Sequence, residues 1–128
     1  MLRFDSVSPR LTVPELRTTL KFYSDVLGFD DWSGWPEEMP TFAIVARDGV
    51  ALQFQQGDAD SPLTTTTTLH FTVGEVRAVL NQIGEQVPIE WGPEVYSYGR
   101  REFAVRDCNG ALLIFSEITS DPPTCSDQ

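Results

Sequence analysis

The 128 residues are enough for one globular domain, and 41% hydrophobic with 22% charged residues is typical of ordinary folded proteins rather than disordered or fibrous ones. Nineteen acidic against nine basic side chains give a net charge of −10, which disfavours nucleic acid as a partner and leaves open the attraction of a cationic ligand. No stretch approaches the roughly 20 apolar residues that span a bilayer, and the first residues lack the apolar core of a signal peptide, so we expect a cytoplasmic protein without a membrane partner.

The chain opens with a predicted strand that leads into an amphipathic helix. Residues 11–13 are apolar or β-branched, and Pro14 suits the first helical turn because its missing N–H costs nothing there. The apolar residues that follow recur at spacings of four, three and four, so they share one helix face. They are Leu16, Leu20, Tyr23 and Leu27. Gly28 is the expected helix stop.

A hairpin follows this helix, and the same order of elements then returns. Residues 42–44 and 49–54 are apolar runs joined by a turn at Arg47-Asp48-Gly49. Residues 71–80 align without gaps with residues 11–20, sixty positions earlier, and residues 110–115 align with residues 49–54 after one insertion. We also align residues 103–105 with residues 42–44. An internal repeat of this kind indicates two copies of one βαβββ module.

The repeat sets the expected domain organisation. The first module covers residues 5–56 and the second covers residues 63–118, with a polar Gly- and Pro-containing linker between them. Together they form a single domain, and the polar residues 119–128 are expected to fray as a tail.

Alternation along each strand assigns side chains to two sheet faces. Leu11, Val13, Phe71 and Phe115 should face the helices. The opposite face, which we call the open face, is expected to hold Ser8, Arg10, Thr12, Ala51, Gln53, Gln55, Thr68, His70, Thr72, Leu112, Ile114 and Ser116. Such a mixed face suits a ligand cup with apolar walls and few polar contacts, and it equally suits a solvated sheet face.

Two motifs resemble the vicinal-oxygen-chelate superfamily of glyoxalases, bleomycin resistance proteins and dioxygenases. Residues 11–16 followed by Phe22-Tyr23-Ser24-Asp25-Val26-Leu27-Gly28-Phe29 look like the family's strand, helix and closing FYxxxLGF, and residues 98–107 with Gly110 resemble its closing hairpin. The resemblance implies an α+β fold in which two tandem βαβββ modules form a cupped mixed sheet with the helices on its outer face.

The family's metalloenzymes take His, Gln or Glu ligands from four strand positions. The resemblance places these positions on Ser8, Gln53, Thr68 and Ile114, of which only Gln53 could ligate a metal. His70, the single histidine, is two residues past the ligand position on the open face, where a packed or hydrogen-bonded role competes with a functional one. We therefore expect no metal and no cofactor, and no catalytic residue is identified.

Aromatic residues cluster at equivalent places in the two copies. Trp32 and Trp35 follow the first helix, while Trp91, Tyr96 and Tyr98 precede the closing hairpin. They suit edge packing or a subunit contact, and they equally suit stacking on a planar ligand. The resemblance to bleomycin resistance proteins implies a homodimer whose grooves hold a flat cationic molecule among aromatic rings and carboxylates, and it makes antibiotic resistance by drug sequestration one candidate role.

The resulting prediction is a metal-free binding protein for sequestration or sensing of a small, cationic or aromatic ligand. Its ligand-binding residues are Arg10, Trp32, Trp35, Gln53, His70, Trp91, Tyr96, Tyr98 and Ile114. Arg101 and Arg106 are read as structural ion-pair residues beside Glu102 and Asp107. One alternative is a metal-dependent lyase, isomerase or dioxygenase of the same superfamily whose ligands a register slip has hidden, and another is a non-catalytic dimeric interaction module.

Overall fold

The computed structural model describes residues 2–35, 41–58 and 66–125, and within the first range the side chains of residues 32–35 are not described. The chain divides into two compact units, Met1–Thr64 and Thr65–Gln128. Within the described ranges, each unit has one helix and one four-stranded mixed sheet in the order βαβββ, so the predicted α+β fold class is confirmed. That the two units form a single domain stays a prediction.

Five elements are described in the first unit. They are β1 (Arg10–Val13), α1 (Leu16–Asp25), β2 (Asp30–Trp35), β3 (Phe42–Arg47) and β4 (Val50–Gln56). The sheet order is β1-β4-β3-β2, with β1 parallel to β4 and the other neighbours antiparallel.

The second unit repeats this arrangement. Its elements are β5 (Thr68–Thr72), α2 (Val76–Ile83), β6 (Ile89–Tyr96), β7 (Arg100–Arg106) and β8 (Leu112–Ile118). The order β5-β8-β7-β6 leaves β6 at the edge of the sheet, and β5 runs parallel to β8.

The core of each unit lies between its helix and one sheet face, as the alternation predicts. In the first unit Tyr23 of α1 is fully buried, and its ring centroid lies 4.9 Å from that of Phe54 on β4. In the second unit Phe115 stacks between Phe71 and Phe103, with 5.3 Å between centroids in both pairs. Burying an aromatic side chain of this size contributes roughly 1.5–3 kcal/mol. The rings therefore stabilise the contact between α1 and its sheet in the first unit, and the packed face of the sheet in the second.

Equivalent side chains on the last strands bind the helix N-termini. The Leu16 N–H of α1 donates to Gln56 Oε1 at 2.8 Å, and the Val76 N–H of α2 donates to Glu117 Oε1 at 3.0 Å. The first N–H groups of a helix have no partner within it, so each acceptor satisfies a group that burial would otherwise leave unpaired. Both acceptors point away from the open face.

The strand register corrects one part of the sequence alignment. Phe54 pairs with Ala43 and its equivalent Phe115 pairs with Phe103, so Phe103 corresponds to Ala43. The residue that corresponds to Phe42 is therefore Glu102, not Phe103. The inserted residue lies in the turn between β7 and β8, and matching one phenylalanine to the other had moved it ahead of β7.

The expectation of a frayed tail is wrong for residues 119–125, which hydrogen-bond to β6 and to the turn after it. The Thr124 N–H donates to the Val95 carbonyl at 2.9 Å, and the Val95 N–H donates to Thr124 Oγ1 at 2.7 Å. Residues 126–128 lie outside the described residues. In the part of the chain that is described, no helix is long and apolar enough to cross a membrane.

Candidate functional site

The open face of the second sheet is organised in rows of side chains from neighbouring strands. His70, Ile114, Ala104 and Trp91 are successive Cα partners across β5, β8, β7 and β6. The next row holds Thr72, Ser116, Glu102 and Glu94. Cα partners project to the same face of a sheet, so these two rows share one surface.

A β-bulge in β6 adds Tyr96 to that surface. Trp91 and Tyr96 are five residues apart, which places them on opposite faces of a regular strand. The register shifts by one residue between Trp91 and Glu94, so both aromatic residues face the side that carries Glu102. Gly92 lies in the bulge with a φ of +81°, a backbone conformation that residues other than glycine rarely adopt.

Glu102 is the charged centre of this surface, and only 3% of it is exposed. The Tyr98 hydroxyl donates to Oε1 at 2.7 Å, and His70 Nε2 lies 3.0 Å from Oε2. An ionised carboxylate only accepts, so Nε2 of His70 carries the proton. Burial raises the pKa of Glu102, but hydrogen bonds from Tyr98, Ser116 and His70 outweigh burial and leave the pKa below its ordinary value. The site therefore holds an ionised carboxylate at neutral pH.

Aromatic rings form a wall beside this carboxylate. Tyr96 and Tyr98 stack with 5.5 Å between centroids and 8° between planes, and Trp91 meets Tyr96 edge-on at 6.2 Å. Tyr98 is 58% exposed, so solvent reaches the stack at this ring. Burial, followed by electrostatic interactions with Cys125, Glu102 and Glu94, raises the pKa of Tyr96, which keeps its phenol neutral.

The first unit has a different pair at the equivalent positions. Arg10 Nε donates to Gln53 Oε1 at 2.9 Å, and the guanidinium carbon lies 4.6 Å from the centroid of the Phe42 ring. Backbone register pairs Trp35 with Phe42, while the side chains of Trp32 and Trp35 lie outside the described residues.

The predicted ligand-binding residues thus fall into two sets. The structure brings Arg10 and Gln53 together in the first unit, and His70, Trp91, Tyr96, Tyr98 and Ile114 together in the second. That both sets line one ligand site stays a prediction.

Residues at the family's metal positions do not fit a metal ion. Ser8 Oγ donates to the Ala51 carbonyl at 3.0 Å, Gln53 Oε1 is bound by Arg10, and Ile114 has no donor atom. Transition-metal sites need several lone-pair donors converging on one point. Among the described residues no group of three or more His, Cys, Asp or Glu side chains converges in this way.

Sequence reasoning missed Glu102 because it treated this residue as an ion-pair neighbour of Arg101. Arg101 instead contacts Glu117 and Asp121, and Arg106 contacts Glu90 at 3.1 Å. The ion-pair role of both arginines holds, but the predicted partners Glu102 and Asp107 are wrong. Ser116 and Arg100, whose side chains are 3.1 Å apart, were likewise left out of the site. Aligning β7 with β3 so that Glu102 corresponds to Phe42 would have placed Glu102 on the open face.

Comparison with known proteins adds a family model and a set of solved structures. Residues 3–115 match the model described as Glyoxalase/Bleomycin resistance protein/Dioxygenase superfamily. No curated protein matches the sequence.

Three solved structures have similar folds. A bleomycin-binding protein from bleomycin-producing Streptomyces verticillus, in complex with copper(II)-bleomycin, is 25% identical over 94% of this chain and 100% of that one, with a TM-score of 0.70. A bleomycin resistance determinant encoded on transposon Tn5 is 20% identical over 90% and 98%, with a TM-score of 0.73. The antibiotic-binding protein TnmS3 from Streptomyces sp. CB03234 is 19% identical over 93% and 100%, also at 0.73.

Proposed function

The chain belongs to the glyoxalase/bleomycin resistance protein/dioxygenase superfamily, and we propose that it binds a small, planar, cationic ligand without a metal ion. The observation that carries the proposal is the ionised, buried Glu102 beside the stacked rings of Tyr96 and Tyr98. A cation over an aromatic face gains electrostatic energy from the ring, and a carboxylate shielded from water strengthens that attraction.

The bound ligand would lie on the exposed ring of Tyr98, with its positive charge directed toward Glu102. Glu94 lies one strand further out in the same row and extends the negative charge, while Trp91 and Ile114 supply apolar walls. Planar shape is selected by the rings, and charge is selected by the two carboxylates. The net charge of −10 supports the same preference over a longer range.

Two proteins of similar fold bear on the choice of ligand. One was solved with copper(II)-bleomycin and another is described as an antibiotic-binding protein. We place this chain with them as a sequestration or sensing protein, cytoplasmic and homodimeric, and an antibiotic is one candidate ligand. Sedimentation of the purified protein at twice the chain mass of 14.3 kDa would support the dimer.

Calorimetric titration with two probes, copper(II)-bleomycin and the planar cation ethidium, tests the proposal. We expect saturable binding of at least one probe, and Tyr98→Leu should weaken it by about threefold to thirtyfold because the stacking face is lost. Tyr98→Phe keeps the ring and should retain most of the affinity. Glu85 is an exposed residue just after α2, so Glu85→Gln removes a negative charge away from the site and serves as the charge control. Failure of the folded protein to bind either probe would overturn the proposal.

Acid–base catalysis by His70 is a second candidate, favoured by the 3.0 Å contact between its Nε2 and Glu102. A carboxylate that holds one imidazole nitrogen leaves the other available to accept a proton from a substrate. Mass spectrometry of a bound probe after prolonged incubation tests this candidate. A chemical change in the probe that His70→Asn abolishes without loss of binding would support catalysis, and an unchanged probe would refute it.

A further inference from the structure

Residues 119–125 form a strap along the outer edge of β6. Thr124 and Val95 are joined by two hydrogen bonds. The Thr124 N–H donates to the Val95 carbonyl at 2.9 Å, and the Val95 N–H donates to Thr124 Oγ1 at 2.7 Å. Edge strands expose unpaired backbone groups, and the strap satisfies both groups of Val95. This pairing fixes the backbone of β6 next to Tyr96. Val95 lies within residues 91–98, which carry Trp91, Tyr96 and Tyr98 and which we call the aromatic segment.

The strap is anchored at its other end as well. The Thr119 N–H donates to the Gly99 carbonyl at 3.0 Å, in the turn that follows Tyr98. Asp121 forms an ion pair with Arg101, and its N–H donates to Thr119 Oγ1 at 3.1 Å. Anchors on both sides of the aromatic segment restrict the positions that the strap can take.

Contacts of the strap reach side chains of the candidate site. Thr124 Oγ1 donates to Glu94 Oε2 while accepting from Val95, so one hydroxyl joins the backbone of β6 to an acidic side chain on the open face. The Cys125 sulfur lies 3.7 Å from the Val95 carbonyl oxygen. A hydrogen bond also joins the side chains of Cys125 and Tyr96. The strap therefore contacts both Glu94 and Tyr96 from the outer edge of β6.

We propose that the strap is a positioning element, in which the Thr124 hydroxyl orients Glu94 and holds the Val95 backbone beside Tyr96, so that ligand affinity depends on strap docking. This inference rests on the proposed function, because the affinity in question is that for a planar cation. Thr124 does not touch the ligand. It lowers the entropy that Glu94 would lose on ligand binding, which is the general benefit of a preorganised site.

A set of substitutions at Thr124 separates the hydroxyl from the rest of the strap. Thr124→Val keeps the side-chain shape and the N–H bond to Val95 but removes Oγ1, while Thr124→Ser restores the hydroxyl. Thr66→Val, at an exposed turn position before β5, is the matched control. Two readouts are taken on the full chain, namely hydrogen exchange of the Val95 amide and the affinity for ethidium.

We expect Thr124→Val to speed exchange of the Val95 amide and to weaken ethidium binding by about threefold to tenfold, the range that one lost hydrogen bond gives. Thr124→Ser and Thr66→Val should match the parent protein in both readouts. Faster Val95 exchange with unchanged affinity in Thr124→Val would overturn the strap inference alone. Absence of ethidium and bleomycin binding by the parent protein would overturn the proposed function and this inference with it.

Discussion

His70 Nε2 lies 3.0 Å from Glu102 Oε2, and the same two strand positions in the first unit hold Arg10 and Phe42. In each unit a basic side chain on the opening strand reaches across the last strand to the third strand of the module. The first unit completes this contact with an aromatic ring and the second with a carboxylate. One backbone geometry therefore supports a cation–π contact in one copy and a hydrogen-bonded acidic centre in the other.

Replacing Glu102 by glutamine should destabilise the protein. The amide would place a donor NH2 where the carboxylate accepts from Tyr98, Ser116 and His70, so at least one buried polar group loses its partner. The expected loss is about 1–3 kcal/mol in the free energy of unfolding, measured by urea titration. Glu85 is exposed, so Glu85→Gln should change the free energy of unfolding by less than about 0.5 kcal/mol. Equal effects of the two substitutions would contradict the assigned role of Glu102.

The lowered pKa of Glu102 makes part of the stability depend on pH. The folded protein favours the ionised form, so the carboxylate stabilises the fold above the ordinary glutamate pKa of about 4.3. That contribution is lost as the pH falls through the lower, folded pKa. The difference in unfolding free energy between the parent protein and Glu102→Gln should therefore narrow as the pH falls below the ordinary glutamate pKa. A difference that stays constant or widens on acidification would show that the carboxyl is not held ionised.

Sequence periodicity was sufficient for the order of elements and for the buried faces, because Leu16, Tyr23 and their neighbours act through spacing alone. It was insufficient for the candidate site, where position depends on contacts between distant strands. Glu102 looks like a surface residue next to an arginine until the register of β7 places it beside His70. The bulge at Gly92 is equally hidden. The register of β6 shifts twice, between Ile89 and Trp91 and between Trp91 and Glu94, and both shifts are defined only by the pairing of β6 with β7.

Alanine at Gly92 should disturb both stability and the aromatic wall. A Cβ there would overlap the Glu102 carbonyl oxygen and lie 2.9 Å from Phe103 Cα, and the φ of +81° adds strain. Relief requires the bulge to move, which carries Trp91 away from Tyr96. We expect a loss of about 1–3 kcal/mol together with a change in near-ultraviolet circular dichroism. Gly74→Ala meets no atom within 4 Å and should be close to neutral, and a neutral Gly92→Ala would count against the bulge.

The link between Glu117 and the N-terminus of α2 can be separated from its contact with Arg101. Glu117 Oε1 accepts from the Val76 N–H at 3.0 Å and lies 3.5 Å from Arg101 Nη1. Glu117→Ala removes the acceptor and should cost about 1 kcal/mol, the usual value of a helix cap, with faster hydrogen exchange at the start of α2. Glu117→Gln keeps an acceptor oxygen, as Gln56 does at the equivalent position of the first unit, and should retain most of that stability. If both substitutions destabilise the protein equally, the charge opposite Arg101 rather than the cap is what stabilises this end of the helix.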